Sequence, residues 1–143
     1  MKVALLAPSG TVAAALERLL EVAQDEDEFI LISAAQATPA GIDVVRVGSD
    51  GLPPRNAITR ALSRSAVGRN LLRLTPWDGG RRFARAVSRD QRARASVQRS
   101  DLVVALERDS ILAAWRAGRG RSPSPRAVYG VAAARAMVSR ERS

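Results

Sequence analysis

Residues 2–11, KVALLAPSGT, carry the clearest signal of fold class in the chain. Residues 2–7 are apolar after the initial lysine, and a short unbroken apolar run is typical of a strand buried on both faces in a parallel sheet. Pro8 and Gly10 break this run. From about Thr11 to Ala23 apolar residues recur at helical spacing, and Ser9 or Thr11 is placed to cap the helix. The pattern predicts a strand–turn–helix unit over residues 1–21.

Short apolar runs bounded by turn residues predict four further strands, at 29–33, 42–47, 101–106 and 126–129. Helical spacing recurs at 55–74, 81–99, 110–117 and 131–140. Apolar strands separated by helices are typical of a parallel sheet covered on both faces. The pattern therefore predicts one α/β, Rossmann-like three-layer domain over residues 1–143. We expect a mainly parallel sheet of four to five strands, with the first and fourth strands adjacent.

The amino-acid composition excludes several kinds of chemistry. The sequence contains no cysteine and no histidine, so disulfides, thiolate metal sites, cysteine nucleophiles, Ser-His-Asp triads and histidine zinc sites are all ruled out. Catalysis would depend on carboxylates, hydroxyls, arginines or a cofactor, and we expect neither a metal nor a cofactor.

No apolar run approaches about 18 residues, and the apolar start is too short for a signal peptide. A cytoplasmic protein without a transmembrane segment is predicted.

Charge is unevenly distributed along the chain. The net charge is +9, yet residues 1–50 carry 3 basic and 8 acidic residues, whereas residues 51–143 carry 20 basic and 6 acidic ones. Every basic residue except Lys2 is an arginine. Codon bias in a GC-rich genome explains such an excess as well as a functional role does. The opposite charges of the two halves could also support self-association or binding of a partner protein.

The first candidate site is the loop after the first strand, with Ser9, Gly10 and Thr11. In open α/β sheets ligands bind beyond the carboxyl ends of the strands, where a helix N-terminus favours anions. A dinucleotide fingerprint needs three glycines, of which only Gly10 is present, and the sequence lacks a Gly-Lys-Ser/Thr phosphate loop. Two interpretations stay open: a tight turn with a capping hydroxyl, or a loop that binds an anionic ligand, including the nucleotide of a small enzyme.

The second candidate is the segment after the fourth strand, which contains Glu107 and Arg108, followed by Asp109. If the first and fourth strands are neighbours, this segment lies beside the first loop. Its carboxylates and its arginine could bind a sugar hydroxyl or a phosphate. Alternatively, Asp109 only caps the next helix.

An arginine stripe is the third candidate. Five arginines recur at steps of 3, 4, 3 and 7 within the helix predicted over 81–99, namely Arg82, Arg85, Arg89, Arg92 and Arg99. Such a stripe could follow a nucleic-acid backbone or an acidic membrane surface, or form a solvated face partly neutralised by the acidic first half. No helix-turn-helix, aromatic platform or zinc finger accompanies it.

The two tryptophans have different predicted roles. Trp77 opens the sequence Trp-Asp-Gly-Gly at 77–80, which could bind an acceptor or anchor one helix on another. Trp115 is predicted to lie in the core.

The order of strands and helices over most of the chain resembles that of one known family. The sequence SDLVVALERDS at 100–110, the helical residues 111–116 and the sequence PRAVYG at 125–130 are similar to the late part of the N-terminal domain in actinobacterial two-domain, GT-B type glycosyltransferases. Residues 2–11 resemble the first strand and loop of the same domains.

The resemblance implies a particular role. In that family the N-terminal domain mainly holds the acceptor, while the C-terminal domain holds the nucleotide-sugar. The histidine base usual in the family is absent here. The resemblance therefore implies an acceptor-side domain, an orphaned half or a divergent relative that does not transfer sugar alone.

Overall fold

A computed structural model describes residues 1–36, 41–48, 64–67, 78–119 and 123–141 of the 143-residue chain. The described strands are β1 (Lys2–Leu6), β2 (Glu28–Ser33), β3 (Asp43–Arg46), β4 (Leu102–Ala105) and β5 (Arg126–Tyr129). The described α-helices of at least eight residues are α1 (Ala13–Leu20), α2 (Gly79–Arg89), α3 (Gln91–Arg99), α4 (Ile111–Gly118) and α5 (Val131–Arg140). None of the helices in these ranges is long and apolar enough to cross a membrane.

The five strands form one all-parallel sheet in the order β3-β2-β1-β4-β5. β1 lies at the centre, where Leu5 is paired with Leu31 of β2 and with Val104 of β4. The predicted parallel sheet and the predicted neighbourhood of the first and fourth strands are both confirmed. Between β1 and β4 the strand order reverses, and open α/β sheets place their ligands at the carboxyl ends of such a strand pair.

β1 is buried on both faces, as its sequence predicts. Successive side chains of a strand point to opposite faces. Val3 and Leu5 accordingly pack in a cluster with residues of α1 and α5, whereas Ala4 and Leu6 pack in a second cluster with residues of α2, α3 and α4. Each face of the sheet is therefore covered by its own helical layer. We call them the α1/α5 layer and the α2–α4 layer.

The single helix predicted over 81–99 is wrong, because the chain forms two helices that meet at Asp90. Asp90 has extended backbone angles, and its carboxylate accepts the N–H of Ala93 at 2.8 Å. An aspartate that caps a new helix satisfies an N–H group that would otherwise lack a partner. The predicted arginine stripe is consequently divided. Arg82, Arg85 and Arg89 belong to α2, whereas Arg92 and Arg99 belong to α3.

Two smaller predictions also need correction. Helix α1 begins at Ala13, and its N-cap residue Val12 makes no side-chain capping bond, so neither Ser9 nor Thr11 caps it. Trp115 is 52% exposed rather than buried, because Ala113 and Ala114 occupy the inward positions of α4. The guanidinium of Arg119 lies 4.7 Å from the centre of the Trp115 ring. Trp77 and nearly all of the helix predicted over 55–74 lie outside the described residues.

Candidate functional site

The structure brings the first two predicted site segments together at the carboxyl ends of β1 and β4. The backbone N–H of Ser9 donates to both carboxylate oxygens of Glu107, at 3.2 and 3.1 Å. The Ser9 hydroxyl donates to the same carboxylate at 2.5 Å. These two residues are 98 positions apart in sequence, so the strand order alone makes them neighbours. We call the region formed by residues 7–12 and 106–110 the carboxyl edge.

The backbone N–H groups of the first loop are already used within the protein. While Ser9 donates to Glu107, Gly10 donates to the carbonyl oxygen of Ala7 at 3.0 Å, and Thr11 donates to the hydroxyl oxygen of Ser9 at 3.2 Å. Gly10 has a φ of 75°, the left-handed conformation that glycine adopts without steric cost. A phosphate group would need these same N–H groups and would meet the negative charge of Glu107.

Glu107 also organises the turn that follows β4. Its side chain accepts the backbone N–H of Ser110, and the Ser110 hydroxyl oxygen accepts the backbone N–H of Glu107 at 3.2 Å. This reciprocal pair is a capping box, which satisfies two donors at the start of a helical segment. The capping role that was an alternative for Asp109 belongs instead to Glu107 and Ser110.

Carboxylates converge beside this capping box. Asp109 lies against the start of α2, where a Cβ atom added at Gly79 would lie only 2.3 Å from Oδ2 of Asp109. Asp78 caps α2 by accepting the backbone N–H of Arg81 at 3.2 Å. The absence of a side chain at position 79 is therefore what lets the Asp109 carboxylate approach this helix end.

The electrostatic surroundings of Asp109 are unfavourable for its charged form. Asp109 is exposed at the surface, but partial burial of its carboxyl raises the pKa of Asp109 above its ordinary value of 3.8, and the charge of Asp78 raises it further. Arg108 lowers this pKa, and Glu107 raises it. Arg108, one of the predicted ligand residues, is exposed and acts on Asp109 through its charge. The carboxyl edge is thus acidic in a chain whose net charge is +9.

Replacing Asp109 by asparagine is expected to change how stability depends on pH. The pKa of Asp109 is higher in the folded state than in the unfolded state. Its contribution to stability is therefore complete at pH values below the unfolded-state pKa and is lost as the pH rises through the folded-state pKa. The free energy of unfolding of Asp109→Asn relative to the parent chain should therefore increase as the pH rises from about 3 toward neutrality. Urea unfolding at a series of pH values measures this difference.

The matched control for this prediction is Asp25→Asn, which makes the same chemical change at an exposed position. The same dependence on pH in both variants would contradict the electrostatic account of the carboxyl edge.

Arginines are concentrated in one helical layer. Helices α2, α3 and α4 contain eight arginines and no acidic residue. On the other face of the sheet, Arg135 of α5 is paired with Glu21 at 2.9 Å, and Arg126 is paired with Glu141. The arginines predicted as one stripe do not form one row in the fold, since Arg99 reaches a cleft at the amino ends of the strands and Arg92 lines a depression beside β3.

The amino-edge cleft has a volume of about 780 Å³ and contains charges of both signs. Lys2 and Glu28 in its wall form an ion pair at 3.1 Å. Ligands of open α/β sheets bind at the opposite edge. For this reason we base the candidate site on the carboxyl edge.

No metal-binding arrangement accompanies these carboxylates, since the described ranges hold no group of three or more acidic side chains placed to bind a metal ion. Comparison of the chain with protein-family models, curated proteins and solved structures found no match.

Proposed function

We propose that this chain is an acceptor-side domain, similar to the N-terminal domain of a GT-B type glycosyltransferase, that binds a neutral hydroxyl-rich ligand at the carboxyl edge without catalysing transfer on its own. The observation that carries the proposal is the clamp of Ser9 by Glu107 between β1 and β4, with Asp109 beside it. The clamp fixes the loop at the position where open α/β sheets bind ligands.

The chemistry of this edge favours hydroxyl groups over phosphates. Asp109 offers an acceptor whose negative charge is poorly compensated, and a hydroxyl that donates to it would relieve that cost. Donors are present as well, because α1 begins without a side-chain cap and Ala13 and Ala14 in its first turn are exposed. A hydroxyl both donates and accepts, so a sugar or polyol uses both kinds of group. A phosphate would be repelled by the carboxylates.

The side chains present support binding more than catalysis. The sequence has no histidine or cysteine to act as a base or nucleophile. Glu107 is occupied by donors from Ser9 and Ser110, which suits a positioning role. Asp109 is the remaining candidate for direct contact with the ligand.

Ligand-dependent thermal stability tests this proposal. A ligand that binds only the folded chain stabilises it by RT ln(1 + [L]/Kd) and so raises its melting temperature. We expect an increase with at least one member of a panel of neutral hexoses, pentoses and inositol at large excess, and no increase with the matching sugar phosphates. Asp109→Ala should abolish the increase, whereas Asp25→Ala at an exposed turn should keep it. Stabilisation by the phosphates alone would contradict the proposal.

A second candidate function, association with nucleic acid, is favoured by the arginine distribution. The helices of the α2–α4 layer carry eight arginines and no acidic residue of their own. Binding to phosphates through such a surface weakens steeply with salt. If this function holds, replacing Arg85, Arg89 and Arg92 by glutamine should reduce the slope of log K against log salt by about three for duplex DNA. Absence of binding at low salt would remove this candidate.

A further inference from the structure

A groove lies in the α2–α4 layer, where its three helices meet. Its volume is about 540 Å³, within the range of small-molecule sites. The floor is apolar and is formed by Ala84, Val87, Val97, Ala113, Ala117 and Pro125. Ala84, Val87, Val97 and Ala113 also belong to the buried core between the α2–α4 layer and the sheet, so the floor of the groove is the outer surface of that core.

The rim of this groove carries positive charge. Arg94 of α3 and Arg116 of α4 line it, together with Ser88 and Gln98. Both arginines are exposed, and within the described residues neither forms an ion pair. A guanidinium without a carboxylate partner, placed beside an apolar surface, suits an anion that brings its own apolar body.

We propose that this groove binds a small organic monocarboxylate with an aliphatic or aromatic body. The apolar body would cover Val87, Val97 and the alanines of the floor, and the carboxylate would be held by Arg94 or Arg116. Duplex nucleic acid fits this groove poorly, because its phosphates would face an apolar floor. The groove is formed by side chains of the helices and lies apart from the carboxyl edge, so this proposal does not depend on the function proposed above.

Calorimetric titration of the full chain with decanoate, below its aggregation concentration, tests this site, with decanol as the uncharged probe. We expect one decanoate per chain and binding at least about tenfold weaker for decanol, as loss of a charge-assisted hydrogen bond predicts. The double variant Arg94→Gln/Arg116→Gln should weaken decanoate binding by about tenfold or more. Ala117→Leu, which adds bulk to the floor, should weaken both probes.

The matched control removes two arginines from the opposite layer, in Arg18→Gln/Arg140→Gln, and should bind decanoate like the parent chain. Both of those residues are exposed, so the fold should be retained. Three results would overturn the proposal: no binding of decanoate, equal binding of decanol, or equal weakening in the control variant. The last result would mean that net charge alone attracts the anion.

Discussion

Replacement of Leu5 by alanine should lower the free energy of unfolding by about 3 kcal/mol. Leu5 has no exposed surface, lies at the centre of β1, and packs in the cluster that joins the sheet to α1 and α5. Its removal would leave a cavity between a central strand and two helices, where neighbouring side chains have little freedom to collapse. Urea unfolding followed by circular dichroism gives this free energy.

The neighbouring residue extends the prediction to the other face of the sheet. Leu6 is equally buried but packs in the cluster with the α2–α4 layer, so Leu6→Ala should cost about as much as Leu5→Ala. Leu20 is 52% exposed, and Leu20→Ala should cost less than about 1 kcal/mol. A cost for Leu6→Ala as small as that of Leu20→Ala would contradict a sheet that is covered on both faces.

Glu107→Ala should lower the free energy of unfolding by about 2 kcal/mol, less than the loss of a core leucine. The variant leaves the Ser9 N–H, the Ser9 hydroxyl and the Ser110 N–H without their carboxylate acceptor. Hydrogen bonds to a charged group contribute more than neutral ones, and the partial exposure of this site keeps the cost moderate. Ser9→Ala alone should cost about 1 kcal/mol, since its N–H bond is kept.

A double-mutant cycle isolates the clamp itself. We expect the loss in Ser9→Ala/Glu107→Ala to be smaller than the sum of the single losses by about 1 kcal/mol, because the hydroxyl bond is removed in each single variant. Glu17→Ala, at an exposed position on α1, serves as the control and should be additive with Ser9→Ala. Full additivity for the Ser9 and Glu107 pair would mean that the bond from the Ser9 hydroxyl to the Glu107 carboxylate does not contribute to stability.

The fold could be predicted from the sequence because short apolar runs mark the positions of the strands. Residues 29–33, 101–106 and 126–129 were predicted as strands and correspond to β2, β4 and β5. β4 is buried along its whole length, as its apolar run predicts for a strand inside a parallel sheet. β5 lies at the edge of the sheet and is mostly exposed. The adjacency of β1 and β4 followed from the rules of chain connection.

Features that depend on tertiary packing were harder to predict. A helical pattern of arginines runs through Asp90, and only the backbone angles of that residue show that one helix ends and another begins there. The aspartate three residues before Ala93 was the available signal. Trp115 was predicted to lie in the core, but the small neighbours Ala113 and Ala114 face inward instead.

The candidate site was predicted in part. The topology implied that the loop at Ser9 would meet the segment at Glu107, and the hydrogen bonds show that it does. The approach of Asp109 to Gly79 joins residues 30 positions apart across two helix starts, a contact that no spacing rule reveals. The contact brings Asp78 close enough to raise the pKa of Asp109, and of the sugar hydroxyl and the phosphate considered for this segment, this favours the hydroxyl.

The most direct test of the central proposal is a two-dimensional ¹H–¹⁵N spectrum of the full chain, titrated in turn with neutral sugars, inositol and inorganic phosphate. We predict that at least one neutral compound shifts the amide signals of Ser9, Gly79, Gly80 and Asp109, and that inorganic phosphate leaves these signals in place. If every neutral compound leaves these four signals unchanged, or if phosphate shifts them, the carboxyl edge is not a site for hydroxyl-rich ligands.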